Sequence, residues 1–184
     1  MRTKFVAVLA AVLVGTGGVL AADPGPVVGQ EAKDFDLEAL GGGRAKLSEL
    51  AKGGPVVLVV LRGYPGYQCP ICSRQFGEFL GKADEFKKAG ATVAFVYPGP
   101  AAGLKGKAGE FVKGRDYPAH FRLLLDPDYT FTNAYGLRWD AKNETAYPST
   151  FVIAPDHKVT FARVSTTHGG RLSAADALKA VAKK

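Results

Sequence analysis

Two cysteines, one methionine, one tryptophan and three histidines are all that the 184 residues contain of these types. Two cysteines allow one bridge at most. His120, His157 and His168 are not paired at metal-ligand spacing, so a four-ligand zinc site built on the cysteines would lack two donors. Basic runs with interleaved aromatics are also missing. The 24 lysines and arginines are dispersed among 17 acidic residues, which points to a solvated basic surface and away from nucleic acid. The formal charge is +7, and +5 once Arg2 and Lys4 are removed, a modest excess that leaves room for attraction to an anionic envelope surface. No internal repeat is present, and Gly41-Gly42-Gly43 reads as a turn.

Met1 to Ala22 carries basic Arg2 and Lys4, the apolar Phe5 to Val14, and small residues ending in Ala21-Ala22 before Asp23. This is the pattern of a secretory signal peptide, residues 1–22, followed by one domain over 23–184. The competing reading is an uncleaved anchor, barely long enough to span and weakened by Gly15, Thr16, Gly17 and Gly18. No cysteine lies near the cleavage region, so lipid attachment is unsupported and no specific membrane partner is expected. Either reading puts the folded part outside the cytoplasm, secreted or periplasmic if cleaved, where a disulfide persists.

Both cysteines lie in Arg62-Gly63-Tyr64-Pro65-Gly66-Tyr67-Gln68-Cys69-Pro70-Ile71-Cys72. Upstream, the β-branched run Pro55 to Leu61 predicts a central parallel strand buried on both faces. Downstream, Ile71, Phe76, Phe79, Leu80, Ala83 and Phe86 recur at helical spacing and predict one amphipathic helix of about five turns, ended by Gly90. Pro70 suits the first helical position. The pair therefore stands on a helix first turn, where free N–H groups and the helix dipole favour thiolate over thiol. One cysteine can attack while the other resolves a mixed disulfide. A structural disulfide, half of a zinc site and two inert buried thiols are the alternatives. The small loop makes the first a weak constraint, and the Gly- and Pro-rich approach looks like a mouth rather than a core.

Phe35-Asp36-Leu37 and Arg44 to Leu47 predict a small hairpin, and Ser48 a capped helical turn before Gly53-Gly54. Ala91 to Tyr97 and Phe121 to Leu125 read as strands, with a weak helix around Glu110-Phe111-Val112 between them. A short helix carries Phe131, Ala134 and Tyr135. Strands Ser149 to Ala154 and Lys158 to Val164 flank a turn, and Ser173 caps a helix over Ala174 to Ala182. Strand, helix, strand alternation implies parallel pairing.

With these residues in hand, the chain resembles the redoxin branch of the thioredoxin superfamily, the alkyl hydroperoxide reductase and thiol-specific antioxidant (AhpC/TSA) or peroxiredoxin-like type. The resemblance rests on the strand, Tyr-Pro-Gly-Tyr-Gln-Cys-Pro-Ile-Cys, the amphipathic helix and the later Tyr147-Pro148-Ser149-Thr150-Phe151-Val152-Ile153, and runs from about Val27 to the C-terminus. It implies an α/β thioredoxin-like fold, a central mixed β-sheet flanked by helices, with a redoxin-type N-terminal β-hairpin extension. It also implies redox chemistry at Cys69 and Cys72 without a cofactor or metal, and a cis Pro148 lying against the pair and offering backbone to an extended substrate. Without the resemblance, a trans Pro148 opening an edge strand is the default. Pro65 and Tyr67 join Pro148 as substrate-positioning residues.

Arg62 and Arg74 are candidates for stabilising a thiolate, against a plain anchoring role. Tyr64, Tyr67, Trp139 and Tyr147 either rim the mouth or pack its loop. His120 is a proton relay or a structural residue, and His168 with Gly169, Gly170 and Arg171 reads as a surface turn.

Peroxiredoxins resemble Pro-x-x-x-Thr-x-x-Cys. In that register Pro65 matches, Cys72 takes the peroxidatic position and Cys69 replaces the threonine. They also carry an arginine where this chain has Pro148, a charge that Arg163 or Arg62 would have to supply. Both departures lean toward thiol-disulfide exchange, with Cys69 attacking, Cys72 resolving and an unidentified thiol as electron donor. The alternatives are a peroxidase in which Cys72 attacks peroxide and condenses with Cys69, and a non-catalytic binding module on the same fold.

Overall fold

The computed structural model describes residues 25–183. The expected signal segment, residues 1–22, lies outside them.

A small hairpin opens the fold, β1 (Asp36–Glu38) paired antiparallel with β2 (Arg44–Lys46). A single turn, α1 (Leu47–Leu50), follows it. Ser48 is inside this turn rather than capping it: its N–H and hydroxyl both donate to Asp34, at 3.0 and 2.9 Å, so the acid does the capping from outside.

The core is a five-stranded sheet in the order β5-β4-β3-β6-β7. Its centre, β3 (Val56–Val60), is parallel to β4 (Thr92–Gly99) and antiparallel to β6 (Ser149–Ile153). β5 (Phe121–Pro127) extends the parallel half and β7 (Val159–Val164) the antiparallel half. Alternation along β3 divides its side chains between two cores, because successive residues point to opposite faces. Val57 and Val59 pack with Phe76, Phe79, Phe95 and Tyr97, whereas Val56, Leu58 and Val60 pack with Leu37, Leu47 and Phe131. A strand covered on both faces must read as a continuous apolar run, which Pro55 to Leu61 does.

The predicted five-turn helix is two helices, α2 (Pro70–Leu80) and α3 (Ala83–Lys88). Gly81 ends the first, and its N–H donates to Gly77 O at 3.0 Å. Asp84 and Glu85 then occupy the first turn of the second, where acid is favoured. The apolar spacing survives the break because Phe79 and Phe86 stack across it, ring centroids 5.4 Å apart. Beyond β4 come α4 (Leu104–Phe111) and α5 (Thr130–Ala134), with α6 (Ala174–Ala182) closing the chain. The Ser173 hydroxyl caps α6 by accepting from the Asp176 N–H at 3.1 Å.

Candidate active site

β3 delivers the chain to Arg62 and Gly63. Gly63 has φ of 65°, and a Cβ there would collide with the Pro98 carbonyl, so a side chain is excluded on two counts. The mouth loop then crosses Pro65 to Tyr67 and enters α2. Cys69 is the N-cap, with Pro70 at the first helical position, and its Sγ accepts the Cys72 N–H at 3.2 Å. The two cysteines form a disulfide across this turn, Cα atoms 5.2 Å apart. Their access differs: Cys69 keeps 4% of its surface exposed and Cys72 none.

The cation beside the sulfurs is Arg171, from the loop between β7 and α6. Its Nη2 lies 3.5 Å from Cys72 Sγ and 4.0 Å from Cys69 Sγ, while Nη1 donates to Gln75 Oε1 and Nε to the His168 carbonyl. No carboxylate pairs with it among the described residues. Burial, and next the nearby charge of Arg62, push its pKa down to about 10. A guanidinium held there is nonetheless charged at neutral pH, and it faces the position where a thiolate would form.

Arg62 and Arg74 are not at the sulfurs. Arg74 is exposed on α2. Arg62 is spent on Glu144, with Nε to Oε2 at 2.6 Å and Nη2 to Oε1 at 3.1 Å, on the Asn143 carbonyl, and on the Tyr67 hydroxyl at 2.6 Å. Burial works against the Arg62 charge, but the bonds to Glu144 and Tyr67 outweigh it and leave its pKa raised. In Glu144, burial likewise opposes the charge, and the bonds to Arg62 and His168 win, leaving its pKa lowered. His168 Nε2 sits 2.9 Å from Glu144 Oε1. The turn at His168 to Arg171 is therefore part of the site, not plain surface. Arg163 is exposed on β7 and does not supply the missing charge either.

Tyr67 remains 48% exposed while its hydroxyl is tied to Arg62, so it rims the mouth from a fixed position, with half-buried Pro65 beside it. Trp139 stacks on Tyr147, centroids 5.0 Å apart, and both pack the loop that presents Glu144. His120 is structural: Nε2 lies 3.0 Å from the Ala83 carbonyl and its ring edges onto Phe121.

Pro148 corrects an expectation. No cis peptide occurs among the described residues, so the Tyr147–Pro148 bond is trans. The Pro148 carbonyl accepts the Ser165 N–H at 2.9 Å and the Tyr147 N–H donates to the Leu137 carbonyl. The trans form is the cheaper one for an X–Pro bond, and here it lets the strand edge pair with the chain after β7.

Among the described residues no three His, Cys, Asp or Glu side chains are grouped to hold a metal, and no helix is long and apolar enough to cross a membrane. A cleft of about 320 Å³ between the hairpin and α4 has neither cysteine in its lining and is lined by charges that pair with one another, Arg44 with Asp36 and Lys105 with Glu38. A second cleft, of about 300 Å³, opens directly onto Cys69.

The family model described as AhpC/TSA matches residues 28–162. Peroxiredoxin Q, chloroplastic, of Oryza sativa subsp. japonica is 32% identical over 125 residues, 68% of this chain and 53% of its own, so the chain spans about half the length of that relative. A Mycobacterium tuberculosis protein named as a peroxiredoxin is 31% identical over 135 residues, 71% of this chain and 80% of its own. Among solved structures, the chain is similar to the peroxidoxin BcpB of Mycobacterium tuberculosis, with a TM-score of 0.65 and 25% identity over 85% of this chain and 97% of that one.

Proposed function

The chain belongs to the AhpC/TSA family, and so to the thiol oxidoreductases, and on that premise we propose that it performs thiol-disulfide exchange at Cys69–Cys72. The observation that carries this reading is the asymmetry of the pair: Cys69 opens to a cleft, and Cys72 is enclosed beside an arginine without a carboxylate. An incoming thiolate attacks Cys69 Sγ, the disulfide breaks, and its electron pair stays on Cys72. The Arg171 guanidinium at 3.5 Å stabilises that leaving thiolate, and a better leaving group departs faster. In the reverse direction Cys69 attacks a substrate disulfide and Cys72 resolves the mixed disulfide. The reaction draws on no cofactor; its partners are a disulfide substrate and a thiol electron donor. An extracytoplasmic setting belongs to the same proposal, supported by the signal-peptide pattern of residues 1–22 and by the persistence of disulfides there.

The test is a trap. Cys72→Ser should accumulate mixed disulfides through Cys69, and Cys69→Ser should accumulate none; the opposite pattern would overturn the roles.

Peroxide reduction is the second reading, favoured by the peroxiredoxin names of the relatives and by Arg171, which brings to Cys72 the positive charge that Pro148 displaces from its usual place in such enzymes. Peroxide would oxidise the Cys72 thiolate to a sulfenic acid, which condenses with the Cys69 thiol and releases water. Labelling of Cys72 by a sulfenate probe in Cys69→Ser after peroxide addition supports it; a rate no higher than that of a free thiol removes it. Full activity of a partner in the presence of the double serine variant would instead point to a non-catalytic binding module.

A further inference from the structure

The cleft beside Cys69 has a composition that the exchange reaction itself does not demand. Its walls come from the start of α2 and from the end of α4 with the turn after it, and they include Cys69, Ser73, Glu110, Lys113 and Arg115. The one acid is already matched, since Glu110 pairs with Lys107 at 3.0 Å. Lys113 and Arg115 form no ion pair among the described residues. Arg115 is held in place without being neutralised: Nη1 and Nη2 donate to the carbonyl and hydroxyl of Ser73, at 3.1 and 2.5 Å, and the guanidinium lies 5.8 Å from the Phe76 ring centroid. A guanidinium has five donors in a planar fork, and the Arg115 Nε donor has no protein acceptor among the described residues. Glu110 also feels the charge of Lys113, but one acid faces three cations, Lys107, Lys113 and Arg115, so the cleft carries a net positive charge beside Cys69, the more exposed of the two cysteines. At about 300 Å³ it is of small-molecule size, and the recessed Cys69 admits a slim group.

Resting on the exchange reading, we infer that this cleft binds a small thiol or disulfide bearing a carboxylate, the acid seated on Lys113 and Arg115 while its sulfur meets Cys69. The first thiolate forms a mixed disulfide with Cys69 as the Cys69–Cys72 bond breaks and Cys72 leaves as thiolate. A second small thiolate attacks the ligand sulfur of that mixed disulfide, forming the small disulfide and freeing Cys69 as thiolate. Two electrons have then passed from two small thiols to the protein.

The experiment compares mercaptosuccinate with 2-mercaptoethanol as reductants of the oxidised protein, quenched by alkylation and read by mass spectrometry. Each rate is divided by that of the same thiol with hydroxyethyl disulfide, which removes differences in intrinsic reactivity. At low salt the quotient should be about tenfold larger for mercaptosuccinate, because complementary charge raises the encounter rate, and the preference should fall as salt is added. Lys113→Ala with Arg115→Gln should abolish the preference, read as the ratio of the two normalised rates within that variant, and Lys88→Ala, an exposed cation on α3, should keep it. Lys113→Glu, which leaves the Arg115–Ser73 contacts intact, should also abolish it. An absent preference, or one that survives these variants, overturns the inference while leaving exchange intact. If 2-mercaptoethanol reduces Cys69–Cys72 no faster than hydroxyethyl disulfide, the exchange reading fails and this inference with it.

Discussion

Arg62 and Arg171 both stand at the mouth, close enough for the charge of one to act on the other, yet their surroundings set them to different tasks. Arg62 is 3% exposed and meets a carboxylate, a phenol hydroxyl and a carbonyl. Arg171 meets an amide, a carbonyl and two sulfurs. A paired cation has spent its field on its partner, whereas an unpaired one stabilises whatever negative charge appears next to it. The disulfide is neutral, so in the oxidised protein the Arg171 charge has no match; a Cys72 thiolate would provide one.

Removing Arg62 should give the largest effect of the two. Arg62→Met leaves Glu144 enclosed with only His168, and stability should fall by about 3 kcal/mol, as for other broken buried pairs. Denaturant unfolding of the oxidised protein measures it, and a loss below about 1 kcal/mol would mean that solvent replaces the partner. Restoring charge with Arg62→Lys should recover little, because the bidentate contact to Glu144 needs the planar fork.

Arg171→Met should separate redox poise from folding. Reduced protein loses its thiolate partner, so the reduction potential should fall by roughly 30 mV, equivalent to about tenfold in the exchange equilibrium. Oxidised protein loses an unmatched charge together with the bonds to Gln75 and the His168 carbonyl, so its melting temperature should fall less than that of the reduced protein. Equal destabilisation of both forms, with an unchanged potential, would make Arg171 a structural anchor like Arg62.

Acid should affect the first region before the second. The folded pKa of Glu144 lies below its ordinary 4.5, so the unfolded chain binds the proton first. Its contribution is complete above that ordinary value and is lost as pH falls through the lower folded one. Wild-type stability should drop on acidification below about pH 5, and Glu144→Gln should flatten part of the drop. The smallest effect belongs to Tyr67→Phe. It removes one hydrogen bond from Arg62 on an exposed ring and should cost about 0.5–1 kcal/mol, with the reduction potential unchanged.

Much of this architecture was legible locally. The run Pro55 to Leu61 announces a strand covered on both faces, and Pro70 with Cys69 before it announces a helix start. The β6–β7 hairpin and the Ser173 cap were equally plain. The break between α2 and α3 was hidden because Phe79 and Phe86 keep a helical interval across it. Two glycines, Gly77 and Gly81, were the available signal of weakness. The site was only half legible. Arg62 and Arg74 were near the cysteines along the chain, and nearness along the chain was a poor guide to contact; Gly169-Gly170 before Arg171 marked a turn but not its destination.

By itself, then, the amino-acid sequence determined the cysteine pair, its place at a strand-to-helix junction and the alternation of strands that builds the sheet, because periodicity and capping act over a few residues. Tertiary structure decided which charge faces the sulfurs and which backbone is free. Arg171 lies 99 residues from Cys72, and it arrives only because the chain after β7 returns across the mouth beside β3 and α2. The same return bonds the Pro148 carbonyl to the Ser165 N–H. Electrostatic pairing and ladder bonding between distant segments depend on the folded positions of both partners, which no local pattern of residues encodes.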